Sequence, residues 1–257
     1  MVLECYGLTE CSAFVTITQC GDQSSGSLGP PLSFNSVKLM DVKELNIVAN
    51  KDGIGEICVK GTNVFSGFYN NPEFSEQLFD ADGWFHTGDV GQWLKNGTLK
   101  ILDRKQDIFQ LTNSLESDLV CPDKIENIYI QSQYVGQVYI DANYFQSSLL
   151  AIIIPDVDGI NLWCSENNML LSAAEACKNV AFKNTVLNDI LNIGKREGLS
   201  STEQVTDIAL HSEPFTQESG FLTPTMKLKR HECRVHFREL IEEVSKNKDK
   251  QEVQKII

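Results

Sequence analysis

The sequence predicts an α+β fold made of a β-rich first part and a mixed second part. Residues 1–102 are rich in short alternating segments separated by Gly, Pro and Asn, a pattern typical of strands and turns. After Asp103-Arg104-Lys105 the pattern changes, and longer helical segments follow among apolar strands. The chain has 257 residues, 42% of them hydrophobic and 22% charged, so it is long enough for one large domain or two small ones.

Three short strands are predicted in the first part from their alternation of apolar and polar side chains. They cover residues 37–42, 54–60 and 98–102. In the second of these strands, Ile57 and Val59 share one face with Gly55. The Asn96-Gly97 dipeptide before the third strand is a strong signal for a hairpin turn.

The second part is predicted to contain three helices and three strands. The helices cover residues 122–130, 172–195 and 232–244, and the strands cover residues 135–140, 149–154 and 205–210. Pro122 stands in the first turn of its helix, and Ser172 with Glu175 forms a capping box at the start of the next one. The strand at 149–154 is apolar on both faces, and the charged tail is expected to fray.

Charge and cysteine content argue against two broad classes of protein. The formal net charge of -13 repels phosphate backbones, so a general nucleic-acid-binding protein is not expected. The eight cysteines are scattered and form no C-x-x-C pair, which indicates reduced thiols in a cytosolic compartment rather than a disulfide scaffold. No apolar run reaches the ~18 residues that a membrane-spanning helix needs.

Four segments carry a family resemblance through their order and spacing. They are residues 6–10 (YGLTE), 55–69 (GEICVKGTNVFSGFY), 83–89 (GWFHTGD) and 102–109 (LDRKQDIF). Together they resemble the AMP-forming adenylating enzymes, which include acyl-CoA synthetases, luciferases and the adenylation domains of peptide synthetases. The segments WFHTGDVGQWLKNGTLKILDRK, PDKIENIY, LLAIIIPDV and FLTPTMKLKR are similar to the long-chain fatty acyl branch, and the resemblance extends to about residue 245.

The resemblance implies a domain organisation and a reaction. Residues 1–103 would be the C-terminal remnant of the large AMP-binding domain, 104–106 a hinge, 107–245 the mobile C-terminal domain and 246–257 a charged tail. The implied activity is that of a long-chain fatty acid–CoA ligase, which uses ATP, Mg²⁺ and CoA and passes through an acyl-adenylate. The family further implies a location in the cytosol or on the cytosolic face of the endoplasmic reticulum or the mitochondrial outer membrane.

The first matching segment implies four residues of a nucleotide site. By resemblance, Tyr6 packs on the adenine as a flat aromatic ring can, and Gly7 belongs to the same site. Thr9 would offer its hydroxyl to the α-phosphate. Glu10 would help to hold Mg²⁺, a hard cation that prefers carboxylate and phosphate oxygens.

Three further residues are implied by the later segments. Asp89 would accept hydrogen bonds from the ribose hydroxyls, a role that suits a carboxylate. Arg104 would support the ribose or a phosphate from the hinge side. Lys227 matches the mobile catalytic lysine of the family, a point charge for the fatty carboxylate and the α-phosphate.

Most of these residues also have a purely structural interpretation, which is preferable when each is taken singly, except at Asp89. The alternatives are a core ring at Tyr6, a helix cap at Thr9-Glu10, a packed turn at Trp84-Phe85-His86, a surface ion pair at Asp103-Arg104 and a solvated basic run at residues 227–230. The ordered set of segments, in contrast, favours common descent with the family.

Two departures from the family lead us to expect that the chain alone does not carry out the full reaction. The Ser/Thr/Gly-rich phosphate loop of the family lies well upstream of YGxTE, and this sequence begins five residues before Tyr6. Residues 108–126 (IFQLTNSLESDLVCPDKIE) are longer than the family segment that lines the pantetheine tunnel. They lack its glycine and carry Gln110 at a lysine position.

Three interpretations therefore stay open. The chain is part of an active ligase, or it is a catalytically inactive remnant or binding module that associates with nucleotide or with full-length synthetases. A third, more distant interpretation is an unrelated scaffold with the same fold. Without the rest of a large domain, apolar strand faces such as Ile57 and Val59 are expected to be exposed and to associate with other chains.

Overall fold

The computed structural model describes residues 2–22, 26–111, 119–143 and 148–256 of the chain. The chain divides into two compact units, Met1–Ile108 and Phe109–Ile257. Both units contain strands and helices, which confirms the predicted α+β class. Among the described residues, no helix combines the length and the apolar character that crossing a membrane requires.

The first unit is built on a four-stranded antiparallel sheet that follows a short hairpin-like pair. The pair consists of β1 (Cys5–Tyr6) and β2 (Thr16–Ile17). The sheet runs in the order β3 (Asn35–Met40), β4 (Ile54–Gly61), β5 (Phe85–Trp93) and β6 (Leu99–Arg104). Two short helices, α1 (Ala49–Asp52) and α2 (Pro72–Gln77), lie in the connections on either side of β4.

The three strands predicted for this unit are confirmed as β3, β4 and β6, but the inner strand β5 was not predicted. Phe85 and His86 begin β5, so the interpretation of this segment as a packed turn is wrong. Gly88 and Gly91 interrupt the apolar alternation of β5, which removes the period-2 signal. Glycine suits position 91 because a Cβ there would lie 2.9 Å from the Lys100 carbonyl oxygen of the neighbouring strand and would also press on the Ile57 side chain.

The prediction that Ile57 and Val59 are exposed is wrong. Both are fully buried, in one cluster with Tyr6, Val15 and other apolar residues. The segment that carries β1 and β2 therefore covers this face of the sheet. It makes the contacts that were expected from the rest of a large domain. The proposed association through these strand faces loses its basis.

The second unit consists of a three-stranded sheet with helices on both sides. Its elements in chain order are β7 (Phe109–Gln110), β8 (Leu119–Val120), α3 (Pro122–Tyr129), β9 (Val135–Asn143), β10 (Ser148–Pro155), α4 (Val157–Glu166), α5 (Ala173–Ala176), α6 (Val180–Arg196), β11 (Val205–Leu210) and α7 (Arg230–Ile256). The central strand β10 is antiparallel to β9 and parallel to β11. Alternate residues of β10 belong to two apolar clusters, one with α3, α4 and α6 and one with α7, which explains why both of its faces are apolar.

The predicted helices of this unit need three corrections. The helix at 172–195 is two helices, α5 with the predicted capping box and α6, because the Asn179 side chain accepts hydrogen bonds from Ala181 and Phe182 and starts a new helix. Helix α4 was missed, although Asp156 caps it in the same way. Helix α7 continues through the tail that was expected to fray, since that tail is rich in Lys, Glu and Gln, which favour helix.

Candidate functional site

A cleft of about 680 Å³ lies against the N-terminal segment of the first unit. Four of the predicted site residues line it, namely Gly7, Thr9, Glu10 and Arg104. The remaining lining residues are Cys5, Leu8, Ser12, Ala13 and Phe14. The fold therefore brings the first and the last of the matching segments to one concave surface.

The wall of the cleft is a tightly bent loop. Residues Thr9–Cys11 form a single 3-10 turn, after which Ser12 (φ 50°) and Ala13 (φ 94°) adopt left-handed backbone conformations that non-glycine residues rarely take. The cap position is Leu8, and no side chain caps the turn, so the interpretation of Thr9-Glu10 as a helix cap is wrong.

Asn63, which was not predicted as a site residue, holds this loop in place. Its side-chain amide donates to the carbonyl oxygens of Cys11 (2.7 Å) and Phe14 (3.2 Å). The Ser12 hydroxyl donates in turn to the carbonyl oxygen of Asn63 (2.9 Å). Three hydrogen bonds to one residue thus support the strained bend. The available signal was its position inside the matching segment 55–69, although its bonded partners lie far away in sequence.

Gly7 is required by the same bend. A Cβ atom at this position would lie 1.4 Å from the carbonyl oxygen of Ala13, so no side chain fits. The two sides of the loop approach each other here through backbone alone. Gly7 therefore shapes the cleft, whatever else it contacts.

Asp89 joins Tyr6 and Arg104 beside the cleft. Its Oδ1 pairs with Nε of Arg104 at 2.9 Å, and its Oδ2 accepts a hydrogen bond from the Tyr6 hydroxyl at 2.6 Å. Asp89 is only 6% exposed, whereas the Arg104 side chain is 50% exposed and lines the cleft. Burial, followed by the charge of Asp89, raises the pKa of Tyr6 far above its usual value, so the phenol keeps its proton.

Arg104 does not form the surface ion pair with Asp103 that was considered as a structural alternative. Its partner is the buried Asp89 on the adjacent strand, in register with it. Asp103, which is also buried, uses Oδ1 to accept the backbone N–H of Arg104 at 2.7 Å. The interpretation of Asp103-Arg104 as a surface ion pair is therefore wrong.

A β-bulge places Asp89 in this position. Glu56 pairs with Val90 and Cys58 pairs with His86, so residues 87–89 stand opposite Ile57 alone. Such a bulge turns a side chain away from the direction it would have in a regular ladder. Gly88, with φ +72°, permits the turn.

Thr87, another residue that was not predicted, fixes the bulge. Its hydroxyl donates to the carbonyl oxygen of Ile57 (2.7 Å) and accepts from the backbone N–H of Asp89 (3.1 Å). The available signal was its position inside the GWFHTGD segment, directly before Gly88-Asp89. Thr87 supports the site through the position of Asp89, and its side chain also bonds to Tyr6.

Tyr6 is a core residue in this structure. It is 6% exposed and packs with Val15, Phe85 and other members of the first unit's apolar cluster. The structural interpretation of Tyr6 therefore holds in this conformation. Stacking on adenine stays a prediction, and it requires that the ring become uncovered.

Lys227 belongs to the second unit, outside the cleft described above. It is exposed on a turn between β11 and α7, where the backbone N–H of Thr223 donates to the Lys227 carbonyl oxygen (2.8 Å). The Thr223 hydroxyl accepts the backbone N–H of Lys227 (3.1 Å). The basic run is solvated only in part, since Arg230 is 8% exposed and pairs with Glu126.

Glu10 is the predicted metal ligand, and its environment is compatible with Mg²⁺. Within the described part of the chain there is no group of three or more His, Cys, Asp or Glu side chains that could hold a metal ion by itself. Mg²⁺ in nucleotide sites commonly takes only one or two protein carboxylates, and phosphate oxygens and water complete its shell. A single carboxylate on the wall of an open cleft fits that pattern.

Comparison with known proteins confirms the resemblance. Residues 1–69 match the AMP-binding enzyme family. The chain is 46% identical over 243 residues to human long-chain-fatty-acid–CoA ligase 6, an alignment that covers 95% of this chain and 34% of the relative. The chain thus spans about a third of the length of the curated relatives it matches.

Solved structures show the same fold. The adenylation domain of a carboxylate reductase from Mycobacterium chelonae superimposes with a TM-score of 0.78 at 29% identity, covering 95% of this chain and 34% of that one. The A domain of a carboxylic acid reductase from Segniliparus rugosus, in complex with AMP and a co-purified carboxylic acid, gives a TM-score of 0.77 at 25% identity. That alignment covers 95% of this chain and 35% of that domain.

Proposed function

Because this chain is related to the long-chain-fatty-acid–CoA ligases over 95% of its own length, we propose that it takes part in the ATP-dependent activation of long-chain fatty acids. In the first step a carboxylate oxygen of the fatty acid bonds to the α-phosphorus of ATP and pyrophosphate leaves. In the second step the thiol sulfur of CoA bonds to the acyl carbon, AMP leaves, and the thiol gives up its proton. The observation that carries the proposal is the cleft, which gathers Gly7, Thr9, Glu10 and Arg104 beside Asp89.

We assign the ribose to Asp89 and Arg104. A carboxylate accepts hydrogen bonds from hydroxyl groups, which suits Asp89 to the ribose hydroxyls. Arg104 pairs with Asp89 through Nε and also lines the cleft, so its guanidinium can reach a ribose or phosphate oxygen there.

The phosphates are assigned to Thr9 and Glu10, which also line the cleft. Thr9 is exposed on the 3-10 turn, and its hydroxyl can donate to an α-phosphate oxygen. Mg²⁺, when bound, would be held by Glu10 and by phosphate oxygens and would neutralise phosphate charge. The protein itself contributes position and hydrogen bonds, which are the main requirements of such a displacement.

Lys227 is proposed as the catalytic lysine. Its match to the family segment FLTPTMKLKR supports this assignment, as does its exposed place on a hydrogen-bonded turn. An ammonium group at the attacking carboxylate and the α-phosphate would stabilise the charge that shifts during adenylation. The division of the chain near Ile108 supports the further proposal that residues 104–106 are a hinge and that the second unit is a mobile domain.

The proposal is tested by product formation with the intact chain. The chain is incubated with palmitate, ATP, Mg²⁺ and CoA, and AMP and palmitoyl-CoA are measured by mass spectrometry. Formation of AMP and palmitoyl-CoA by the wild-type chain would show that it carries out the full reaction, against the expectation from its sequence. The Lys227→Ala variant should lose roughly 100-fold or more in rate, the scale seen when one donor to a developing charge is removed.

Lys229→Ala is the matched control, because Lys229 is an exposed lysine two residues away. It should retain the wild-type rate. Absence of product from a chain shown to be folded would contradict ligase activity in this chain and leave the inactive binding module. Product that is insensitive to Lys227→Ala would contradict the role of Lys227.

A further inference from the structure

We propose that the Tyr6 hydroxyl occupies, in the nucleotide-free chain, the place on Asp89 that a ribose hydroxyl takes when nucleotide binds, so that Tyr6 sets the affinity of the site. The inference rests on the proposed function, since it takes Asp89 as the ribose ligand. A phenol and a ribose hydroxyl are the same kind of partner for a carboxylate, because each donates one O–H. The two donors therefore compete for Asp89.

The strength of the internal bond supports this competition. The distance of 2.6 Å between the Tyr6 hydroxyl and Oδ2 of Asp89 lies in the range of short, charge-assisted O–H···O⁻ bonds. The raised pKa of Tyr6 keeps the phenol protonated, so it stays a donor throughout the physiological range of pH. The bond is thus present whenever no other donor replaces it.

Access to Asp89 leads to the same conclusion. Tyr6 and Asp89 are each 6% exposed, whereas the chain neighbours Cys5 and Gly7 are exposed and line the cleft. A nucleotide in the cleft therefore meets Arg104 and the backbone around Tyr6 before it meets the carboxylate. The Tyr6 side chain must move before ribose can bond to Asp89.

The movement must come from the side chain. The Tyr6 backbone is held by the Val15 N–H, which donates to the Tyr6 carbonyl oxygen at 2.8 Å, and by the pairing of Tyr6 with Thr16. The ring also packs in the apolar cluster of the first unit, which favours the inward position.

The second unit contains a matched control for this arrangement. There the Tyr139 hydroxyl donates to Oδ2 of Asp141 at 2.7 Å, and Nε of Arg234 lies 3.3 Å from the same oxygen. Tyr139 and Asp141 are as buried as Tyr6 and Asp89. The Tyr139→Phe variant therefore removes the same kind of bond at a place that does not line the cleft.

The test is a calorimetric titration of the full chain with AMP and with 2′,3′-dideoxy-AMP, which lacks both ribose hydroxyls. Tyr6→Phe keeps the ring in its cluster, and a thermal melt confirms that the variant is folded. It should bind AMP about tenfold more tightly than the wild type, the scale of one hydrogen bond to a charged group. Tyr139→Phe should bind AMP like the wild type, and 2′,3′-dideoxy-AMP should bind Tyr6→Phe no better than the wild type.

Three outcomes would overturn the inference. If Tyr6→Phe binds AMP equally or less tightly, the hydroxyl does not compete with ribose. If 2′,3′-dideoxy-AMP shows the same gain, the effect does not depend on the ribose hydroxyls. In both cases AMP binding by the wild type leaves the proposed nucleotide site standing, whereas absence of AMP binding in all three proteins overturns the site and the inference together.

Discussion

Replacement of Asp89 by alanine is expected to weaken AMP binding by roughly 10- to 100-fold, because the bonds lost are hydrogen bonds to a charged acceptor. Asp89 is the buried group that connects Tyr6 and Arg104 at the edge of the cleft. Without its carboxylate, the ribose hydroxyls have no acceptor at this place and Arg104 loses its partner. Calorimetric titration of the wild-type and variant chains with AMP measures the effect.

Asp141→Ala is the matched control for Asp89→Ala. Asp141 is equally buried and also accepts from a tyrosine and pairs with an arginine, but it lies in the second unit. Both variants should lower stability, since each leaves buried polar partners unpaired. Only Asp89→Ala should weaken AMP binding, and an Asp89→Ala chain that binds AMP as tightly as the wild type would contradict the assignment.

The largest stability effect is expected for Arg230→Met in the second unit. The Arg230 guanidinium donates two hydrogen bonds to the Glu126 carboxylate, from Nη1 to Oε1 at 2.9 Å and from Nη2 to Oε2 at 2.7 Å. It also forms an ion pair with Asp123. Arg230 is 8% exposed, so its loss leaves the Glu126 carboxylate buried without a cation. Breaking such a pair from one side costs about 3–5 kcal/mol of unfolding free energy.

Urea unfolding at pH 8 measures this cost. Trp163 is buried in the second unit. When the other two tryptophans, Trp84 and Trp93, are replaced by Phe, Trp163 fluorescence follows the unfolding of that unit. Arg238→Met is the control, because Arg238 lies on the same helix, is 78% exposed and pairs across one turn with the half-exposed Glu242. The control should change stability by less than ~0.5 kcal/mol.

The deficit of Arg230→Met should shrink as the pH falls. Burial already raises the pKa of Glu126 to about 7 with Arg230 present, and removal of the cation raises it further. A carboxyl whose pKa is raised by folding adds stability below its unfolded pKa and loses it as the pH rises through the folded value. The variant should therefore be closer to the wild type at pH 5.5 than at pH 8. An equal deficit at both pH values would contradict the burial of an unpaired Glu126.

Periodicity predicted the elements whose side chains alternate or repeat cleanly, and it missed the others. Strand β4 was found because its apolar residues alternate, β10 because it is a continuous apolar run, and α3 because Pro122 marks a first helical turn. Strand β5 was missed because a bulge and two glycines break its alternation. The same bulge positions the Asp89 side chain. The feature that shapes the candidate site is therefore also the feature that hides strand β5 from a search for alternating apolar residues.

The order of the matching segments pointed to four residues that share one concave surface, but not to how the predicted residues interact. Gly7, Thr9, Glu10 and Arg104 do line one cleft. The bond from Tyr6 to Asp89 joins residues on separate strands, and it depends on the bulge and on burial rather than on any local spacing. The supports at Asn63 and Thr87 are contacts of the same kind, which a single sequence does not display.

The second predicted departure from the family is the longer, glycine-free segment at residues 108–126. The glycine-free segment that was expected to disturb thioester formation has its distinctive residues at 112–118, which lie outside the described residues. That expectation therefore stays a prediction about the second half-reaction. It does not bear on nucleotide binding, which rests on the first unit.

Amide hydrogen exchange of the intact chain with and without AMP tests the central claim most directly, since it shows where the nucleotide binds. The account predicts that AMP slows exchange in peptides that cover residues 5–14 and residues 87–104, and that Asp89→Ala needs a higher AMP concentration to reach the same protection. Unchanged exchange in both segments at saturating AMP, or protection confined to other parts of the chain, would contradict the claim that this cleft is a nucleotide site.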